Sequence, residues 1–337
     1  MKDILNRLIK HHTLSYEEAK RVLKAIANGE YNDIHVTAFM TVFMMRSITV
    51  EELRGFRDAM LDMCVAVDLS EYDPIDLCGT GGDGKDTFNI STLSSFIVAG
   101  AGQSVAKHGN NGVSSVCGSS NLLQHFGYQF TNEVSELKRS MDEANICFLH
   151  APLFHPAMKG VAPIRKQLGM KTFFNMLGPM VNPAFPKKQL VGVFSLELAR
   201  LYGYLYQQGQ KDFAIVHSLD GYDEISLTGD FKLLTQKGES VLSPKDINQP
   251  TLNEQELFGG NSIEDAAAIF QRVLEGQGTK AQNAAVIANA GMALYAANPD
   301  RSIEEGQSLA EESLKSGAAL KSFRSLVSPN KVFSLTN

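Results

Sequence analysis

Cysteine is scarce. The chain has four, Cys64, Cys78, Cys117 and Cys147, far apart and without a C-x-x-C pair. That excludes a disulfide scaffold and offers no zinc spacing. The thiols read as buried or bystander groups of a reducing compartment. Long apolar runs are missing too. No stretch approaches a bilayer span, and the opening MKDILNRLIKHH lacks the apolar core of a signal peptide. A cytoplasmic chain with no membrane partner is the expectation. Basic residues are not in excess. Lys and Arg number 31 against 37 Asp and Glu, a net charge of −6. Nucleic acid is therefore disfavoured as a partner. A polyanionic ligand would have to be held by local loops and a metal. The phosphate loop GxxxxGK[ST] and the hydrolase elbow GxSxG are both absent, as are internal repeats and low-complexity linkers.

What is present suits an enzyme. The 337 residues are 44% hydrophobic and 20% charged, enough for a large core and for two domains. Residues 1 to about 65 read as helical, with Ile4, Leu5, Leu8 and Ile9 at helical spacing. Ser15 with Glu18, and Thr49 with Glu52, form capping boxes. Thr37 to Met45 is apolar nearly all round, so burial on several sides is expected, with a dimer seam as the sharper reading. From Tyr72 the texture changes to strand, loop, helix. Strands are expected at Ile75–Cys78, Ser104–Lys107, Ile146–Leu149, Leu190–Phe194, Phe213–His217 and Glu224–Leu227, with more in Phe231–Ser243. Helices separate several of them, and Ser262–Glu275, Ala281–Ala297 and Ser302–Ser316 close the chain. The pattern predicts an α/β fold with a mostly parallel sheet and helices on both faces.

The most informative stretch is Asp76-Leu-Cys-Gly-Thr-Gly-Gly-Asp-Gly-Lys-Asp-Thr-Phe-Asn-Ile-Ser-Thr92. A strand runs into Gly79, Gly81, Gly82 and Gly84, and a helix follows. Glycines there expose backbone N–H groups to a ligand, and a helix N-terminus beyond them adds an anion site. The spacing also fits G-x-G-x-x-G of dinucleotide folds. Against that reading, about twenty residues on the chain has Lys107 and His108 where an acid would grip a ribose. A second glycine-rich block, Lys107-His-Gly-Asn-Asn-Gly-Val-Ser-Ser115 with Gly118-Ser-Ser120, follows the next strand. Ligand sites of α/β folds form where strands end in this way.

The motifs Gly79-Thr-Gly-Gly-Asp83, Asn89-Ile-Ser-Thr92 and Lys107-His-Gly-Asn110 resemble the phosphoribosyl-pyrophosphate motifs of the anthranilate phosphoribosyltransferase family. So do His155–Arg165, Gly169–Pro183 and the acidic pair in Gly221-Tyr-Asp-Glu224. The resemblance covers essentially the whole chain. It implies a small helical lobe over residues 1–70, joined again by a return segment at about 162–186 and hinged to an α/β lobe of residues 71–161 and 187–337. The implied reaction transfers a phosphoribosyl group to the amine of anthranilate and releases pyrophosphate, with Mg2+ as cofactor and a homodimer formed through the helical lobe.

Roles follow from the same resemblance. Phosphoribosyl pyrophosphate would meet Gly79, Gly82, Asp83, Thr87, Asn89, Ile90, Ser91, Thr92, Lys107, Ser115 and Ser119. Anthranilate would lie against Gly79, His108, Asn110 and Arg165, and the metal on Ser91, Asp223 and Glu224. The chain departs from the family's pattern in places. Asn111 stands where Arg is common, Gly160 and Lys171 replace a common His and Arg, and Asn121 stands where an acid is usual. Among rivals, a pyrimidine nucleoside phosphorylase would show KHSxGG, and a silent nucleic-acid-binding relative would have an eroded GTGGD and a basic surface. The chain shows none of these.

Overall fold

A computed structural model describes residues 1–112, 116–209 and 211–328. The chain opens with α1 (Lys2–Ile9), α2 (Tyr16–Ala27), α3 (Asp33–Met45) and α4 (Val50–Asp62). Ser15 and Thr49 accept from the N–H three residues on, and Glu18 and Glu52 return the bond, so both capping boxes are in place. Glu52 does more. Its buried carboxylate pairs with Arg46 at 2.5 Å and accepts the Leu14 N–H at 2.8 Å, tying the ends of neighbouring helices together.

Next come β1 (Ile75–Gly79), α5 (Ile90–Gly100), β2 (Val105–Gly109), α6 (Ser119–His125), α7 (Val134–Ala144) and β3 (Ile146–His150). Short helices α8 (Ala151–Phe154), α9 (Ala162–Leu168) and α10 (Phe174–Leu177) lead to β4 (Lys188–Gly192). Then follow α11 (Leu196–Gln207), β5 (Asp212–Ser218) and a hairpin of β6 (Phe231–Thr235) and β7 (Gly238–Leu242). Helices α12 (Ile263–Leu274), α13 (Lys280–Ala297), α14 (Ile303–Lys315) and α15 (Ala318–Val327) complete the described chain.

The sheet runs β3-β2-β1-β4-β5-β6-β7. It is parallel from β3 to β5, and only the edge hairpin is antiparallel. The order reverses between β1 and β4, the crevice where such sheets bind ligands. One face presents Ile75, Leu77, Val105, Leu190 and Ala214 to the C-terminal helices. The other presents Val191, Val193, Phe213 and Ile215 to α11 and the N-terminal bundle. The expected fold class is therefore observed.

The bundle does not close its own core. Phe39, Phe43 and Phe56 pack on Phe173 and Phe174 from the return segment, with the Phe56 and Phe173 rings stacked at 4.6 Å. Burial of such rings contributes roughly 1.5–3 kcal/mol each.

The structure corrects several expectations. Glu224–Leu227 is not a strand. Its backbone is satisfied by side chains instead: Asn289 takes the Ile225 N–H and C=O at 3.1 and 2.8 Å, and Ser218 donates to the Glu224 carbonyl at 2.7 Å. With those groups already paired, no ladder forms. Within Thr37–Met45, Phe39, Met40 and Phe43 are buried, only Met45 is exposed, and the other positions are half-buried; Ile34, before that run, is 79% exposed. Strand β4 begins at Lys188 and ends at Gly192, two residues earlier at each end than the apolar run suggested. Helix α15 was not anticipated.

Candidate active site

A cavity of about 1080 Å³ opens at the C-terminal ends of the central strands, facing the return segment. The first wall is the loop after β1. Gly81, Gly82 and Gly84 hold φ of +64°, +75° and +76°, which side chains rarely adopt. Gly79 and Gly192 have another duty. They are register partners at the ends of β1 and β4. A methyl on Gly79 would overlap the Asp223 carboxylate, and one on Gly192 would overlap the Asp223 carbonyl. Two bare strand ends thus let the acidic loop lie directly over the sheet. Asp223 is fixed there by the Gly81 N–H, which donates to Oδ2 at 2.6 Å.

Burial and the negative charge of Asp83 push the Asp223 carboxyl up to about 7. Burial, then Asp223 itself, drive Glu224 well above the usual range. Glu224 Oε1 is buried and has no hydrogen-bond partner. A buried, unsatisfied oxygen beside two like charges is costly. A cation would relieve it, and carboxylate with the Ser91 hydroxyl is a hard oxygen set suited to Mg2+. Among the described residues no three His, Cys, Asp or Glu side chains converge as a ready cage. That fits an ion completed by waters and phosphate oxygens.

Helix α5 points its N-terminus at this wall. Its cap residue Asn89 makes no side-chain cap bond, and its first turn has no acid. The Asn89 amide instead donates to the Cys117 carbonyl at 2.9 Å, bracing the second loop. By contrast α2, α4, α12 and α14 all carry acids in the first turn and side-chain caps. Such an uncapped, acid-free end is one that favours an anion. Lys107, 2% exposed, runs up from β2 and donates to the Leu77 carbonyl at 2.6 Å, with Ser91 Oγ at 3.5 Å. Burial lowers its pKa, opposed by Asp76.

The second loop is stapled by Asn121, whose Oδ1 accepts the N–H groups of Gly112 and Gly118 at 2.9 and 3.2 Å. The amide therefore does the bonding available to the acid more usual there. Ser119 donates to the Asn110 carbonyl at 3.3 Å. Asn111 is exposed, its N–H on the Asn110 side chain at 2.8 Å.

The facing wall comes from the return segment. Arg165 lines the cavity, with its guanidinium 5.3 Å from the Phe174 ring centroid and Nη2 3.4 Å from Asn175 Oδ1. Burial lowers its pKa. Carbonyls of the segment are held one after another by side chains from the sheet side. Tyr202 takes that of Met176 at 2.5 Å, His108 Gly178 at 3.1 Å, Gln189 Pro179 at 2.6 Å and His155 Val181 at 2.9 Å. Since a carbonyl only accepts, His108 carries its proton on Nδ1 and His155 on Nε2. Burial depresses both, His108 to about 4 and His155 to about 3. Both rings are neutral near pH 7.

The cavity gathers Gly79, Gly82, Asp83, Thr87, Asn89, Ile90, Ser91, Thr92, Lys107, His108, Asn110, Ser119, Arg165, Asp223 and Glu224. Ser115 lies outside the described residues. No local pattern announced the carbonyl clamp by His155, Gln189 and Tyr202, because its members are far apart in the chain. Lys85, which lines the cavity, was not singled out from the sequence either. Lys171, noted only as a departure, crosses Gly82 from the opposite wall.

This two-part architecture matches a glycosyl transferase family. Residues 2–64 match its helical bundle domain and residues 71–320 its a/b domain. Within that class, the anthranilate phosphoribosyltransferase of Christiangramia forsetii is 60% identical over 326 residues, covering 97% of this chain and 98% of the relative. The crystal structure of the Thermus thermophilus enzyme of that name superposes with a TM-score of 0.89 at 33% identity, covering 96% of this chain and 98% of the other. The Saccharomyces cerevisiae enzyme in complex with PRPP and Mg gives 0.86 at 26% identity, covering 96% and 95%. The chain belongs to the anthranilate phosphoribosyltransferase family.

Proposed function

We propose that the chain transfers the 5-phosphoribosyl group of phosphoribosyl pyrophosphate to the amine of anthranilate, giving N-(5-phosphoribosyl)anthranilate and pyrophosphate in tryptophan biosynthesis. The observation that carries this reading is one cavity with unlike walls. A glycine loop, an uncapped helix end and a half-buried acidic pair face Arg165 and an aromatic-lined segment. The yeast relative was solved with PRPP and Mg bound, which agrees with a polyphosphate on the first wall.

On this reading Gly79 to Asp83 and Asn89 to Thr92 hold the pyrophosphate and ribose, and Lys107 and Ser119 add further contacts to the phosphates. Asp223, Glu224 and Ser91 would hold magnesium, which when bound neutralises charge on the departing oxyanions. Arg165 suits the anthranilate carboxylate, because a guanidinium fork matches a planar anion. His108 and Asn110 border the ring. The amine lone pair attacks the ribose C1 as the C–O bond to pyrophosphate breaks, and the proton that the new C–N bond makes acidic is lost to a pyrophosphate oxygen or to water. Anthranilate's amine is neutral and its lone pair free, so the chain needs no covalent nucleophile. Its task is to place the partners and exclude water.

The half-exposed side of α3, with Ile34 and Met45 uncovered, fits a second copy, so the working form is a homodimer. A cytoplasmic location accords with the absence, among the described residues, of a helix able to cross a membrane. The activity is tested by following loss of anthranilate fluorescence. Loss should require phosphoribosyl pyrophosphate and magnesium together. No loss with both present overturns the reading. Light scattering that shows a monomer at micromolar concentration overturns the dimer.

A further inference from the structure

Behind the glycine loop lies a second, smaller cavity of about 370 Å³. Lys85 lines both cavities. Its backbone N–H donates to Asp83 Oδ1 at 3.0 Å, so the root of the side chain is fixed to the phosphate loop. Its amine sits 4.5 Å from the Tyr222 ring centroid and 2.9 Å from Glu254 Oε1. Tyr222 immediately precedes the acidic pair. The amine thus hangs between the phosphate loop and the acidic loop, turned away to a surface carboxylate.

That carboxylate is a weak anchor. The Glu254 side chain is 69% exposed and that of Lys85 25%, and solvent-exposed ion pairs contribute little. Nor does the pair fasten the neighbouring strap. The strap is already bonded through its backbone: Phe88 N–H donates to the Leu257 carbonyl at 2.9 Å and Gly259 N–H to the Asp86 carbonyl at 2.8 Å. A phosphate oxygen in the main cavity is a stronger partner for an ammonium than an exposed carboxylate.

We infer that Lys85 is a reserve phosphate ligand, able to leave Glu254 and Tyr222 for the polyphosphate of the substrate. This rests on the activity proposed above. Glu254 then competes with substrate for the amine, so the two partners of one ion pair have opposite effects on affinity.

The experiment is calorimetric titration of phosphoribosyl pyrophosphate with magnesium into the full chain and its variants. Lys85→Met should weaken binding roughly three- to tenfold, and Lys85→Arg should restore most of it. Glu254→Gln should tighten binding about twofold. The Michaelis constant for anthranilate should be unchanged in all three. A structural clasp predicts instead that Lys85→Met and Glu254→Gln weaken binding alike, and that result, or unchanged binding in Lys85→Met, overturns the inference. Failure of the wild-type chain to bind the substrate overturns the proposed activity, and with it this inference.

Discussion

The wall that carries the glycine loop and the wall that carries Arg165 reach one cavity by different routes. The first is local. Strand β1, its loop and helix α5 are continuous in sequence, and the loop's conformation rests on glycine backbone. Lys107 rises from the neighbouring β2, and Asp223 and Glu224 come from far along the chain, admitted because Gly79 and Gly192 have no side chains. The second wall is assembled. Its segment is a run of short helices and turns, positioned by side chains that grip its carbonyls. A wall made of backbone suits a ligand made of phosphates. A wall hung on side chains suits a smaller acceptor with one carboxylate.

The comparison can be broken most severely at the acidic pair. Replacing Asp223 by Asn and Glu224 by Gln together keeps shape and removes charge. Turnover should fall about a hundredfold or more and demand more magnesium, while the thermal midpoint holds. Steady-state rates across a magnesium series decide it, and full activity at low magnesium would remove the pair from the metal.

Gly192→Ala attacks the same wall from below. Its methyl meets backbone rather than a movable side chain, so a stability loss of about 3 kcal/mol is expected. Urea unfolding measures it. Wild-type stability would mean that the Asp223 loop shifts freely.

Arg165→Ala tests whether the second wall reads the acceptor. The Michaelis constant for anthranilate should rise about ten- to a hundredfold, corresponding to roughly 1.5–3 kcal/mol, with that for phosphoribosyl pyrophosphate little changed. Lys should rescue only in part. A loss confined to phosphoribosyl pyrophosphate would place Arg165 with the phosphates and dissolve the contrast.

The smallest effect is a pH dependence of the clamp. Burial first, then the neighbouring His108, holds His155 at about 3 against an ordinary 6.5, so the native ring stays neutral while the unfolded chain gains a proton. The contribution is full above pH 6.5 and is lost as pH falls toward 3, by at most about 1.4 kcal/mol per pH unit. His155→Gln keeps a donor for the Val181 carbonyl and cannot titrate. Its unfolding free energy should therefore fall less steeply over that window. Parallel curves for both proteins would show that His155 does not drive the acid loss.

How much was legible in the sequence follows the same division. The glycine loop could be read because strand, glycines and helix start are adjacent, and each residue type has a local backbone meaning. The capping boxes were readable for the same reason. Arg165 and the acidic pair were not readable from local pattern. A lone Arg on a helix and two adjacent acids on a turn are ordinarily surface features, and only resemblance to a family singled them out. Glu224–Leu227 misled because alternating polarity predicts a strand only when the backbone lacks other partners, and Asn289, more than sixty residues on, supplies them.

The shared phenylalanine core has a consequence for biosynthesis of the chain itself. Residues 1–64 emerge from the ribosome first, yet the ring that stacks on Phe56 belongs to Phe173. Strand β1 likewise awaits β4, since Asp76 and its bonded neighbour Gln189 are 113 residues apart. At a usual pace of about 5–20 residues per second, the young bundle shows an aromatic face to the cell for several seconds before its cover is translated. This interval, rather than the finished enzyme, is where the chain most needs protection from sticking to its neighbours.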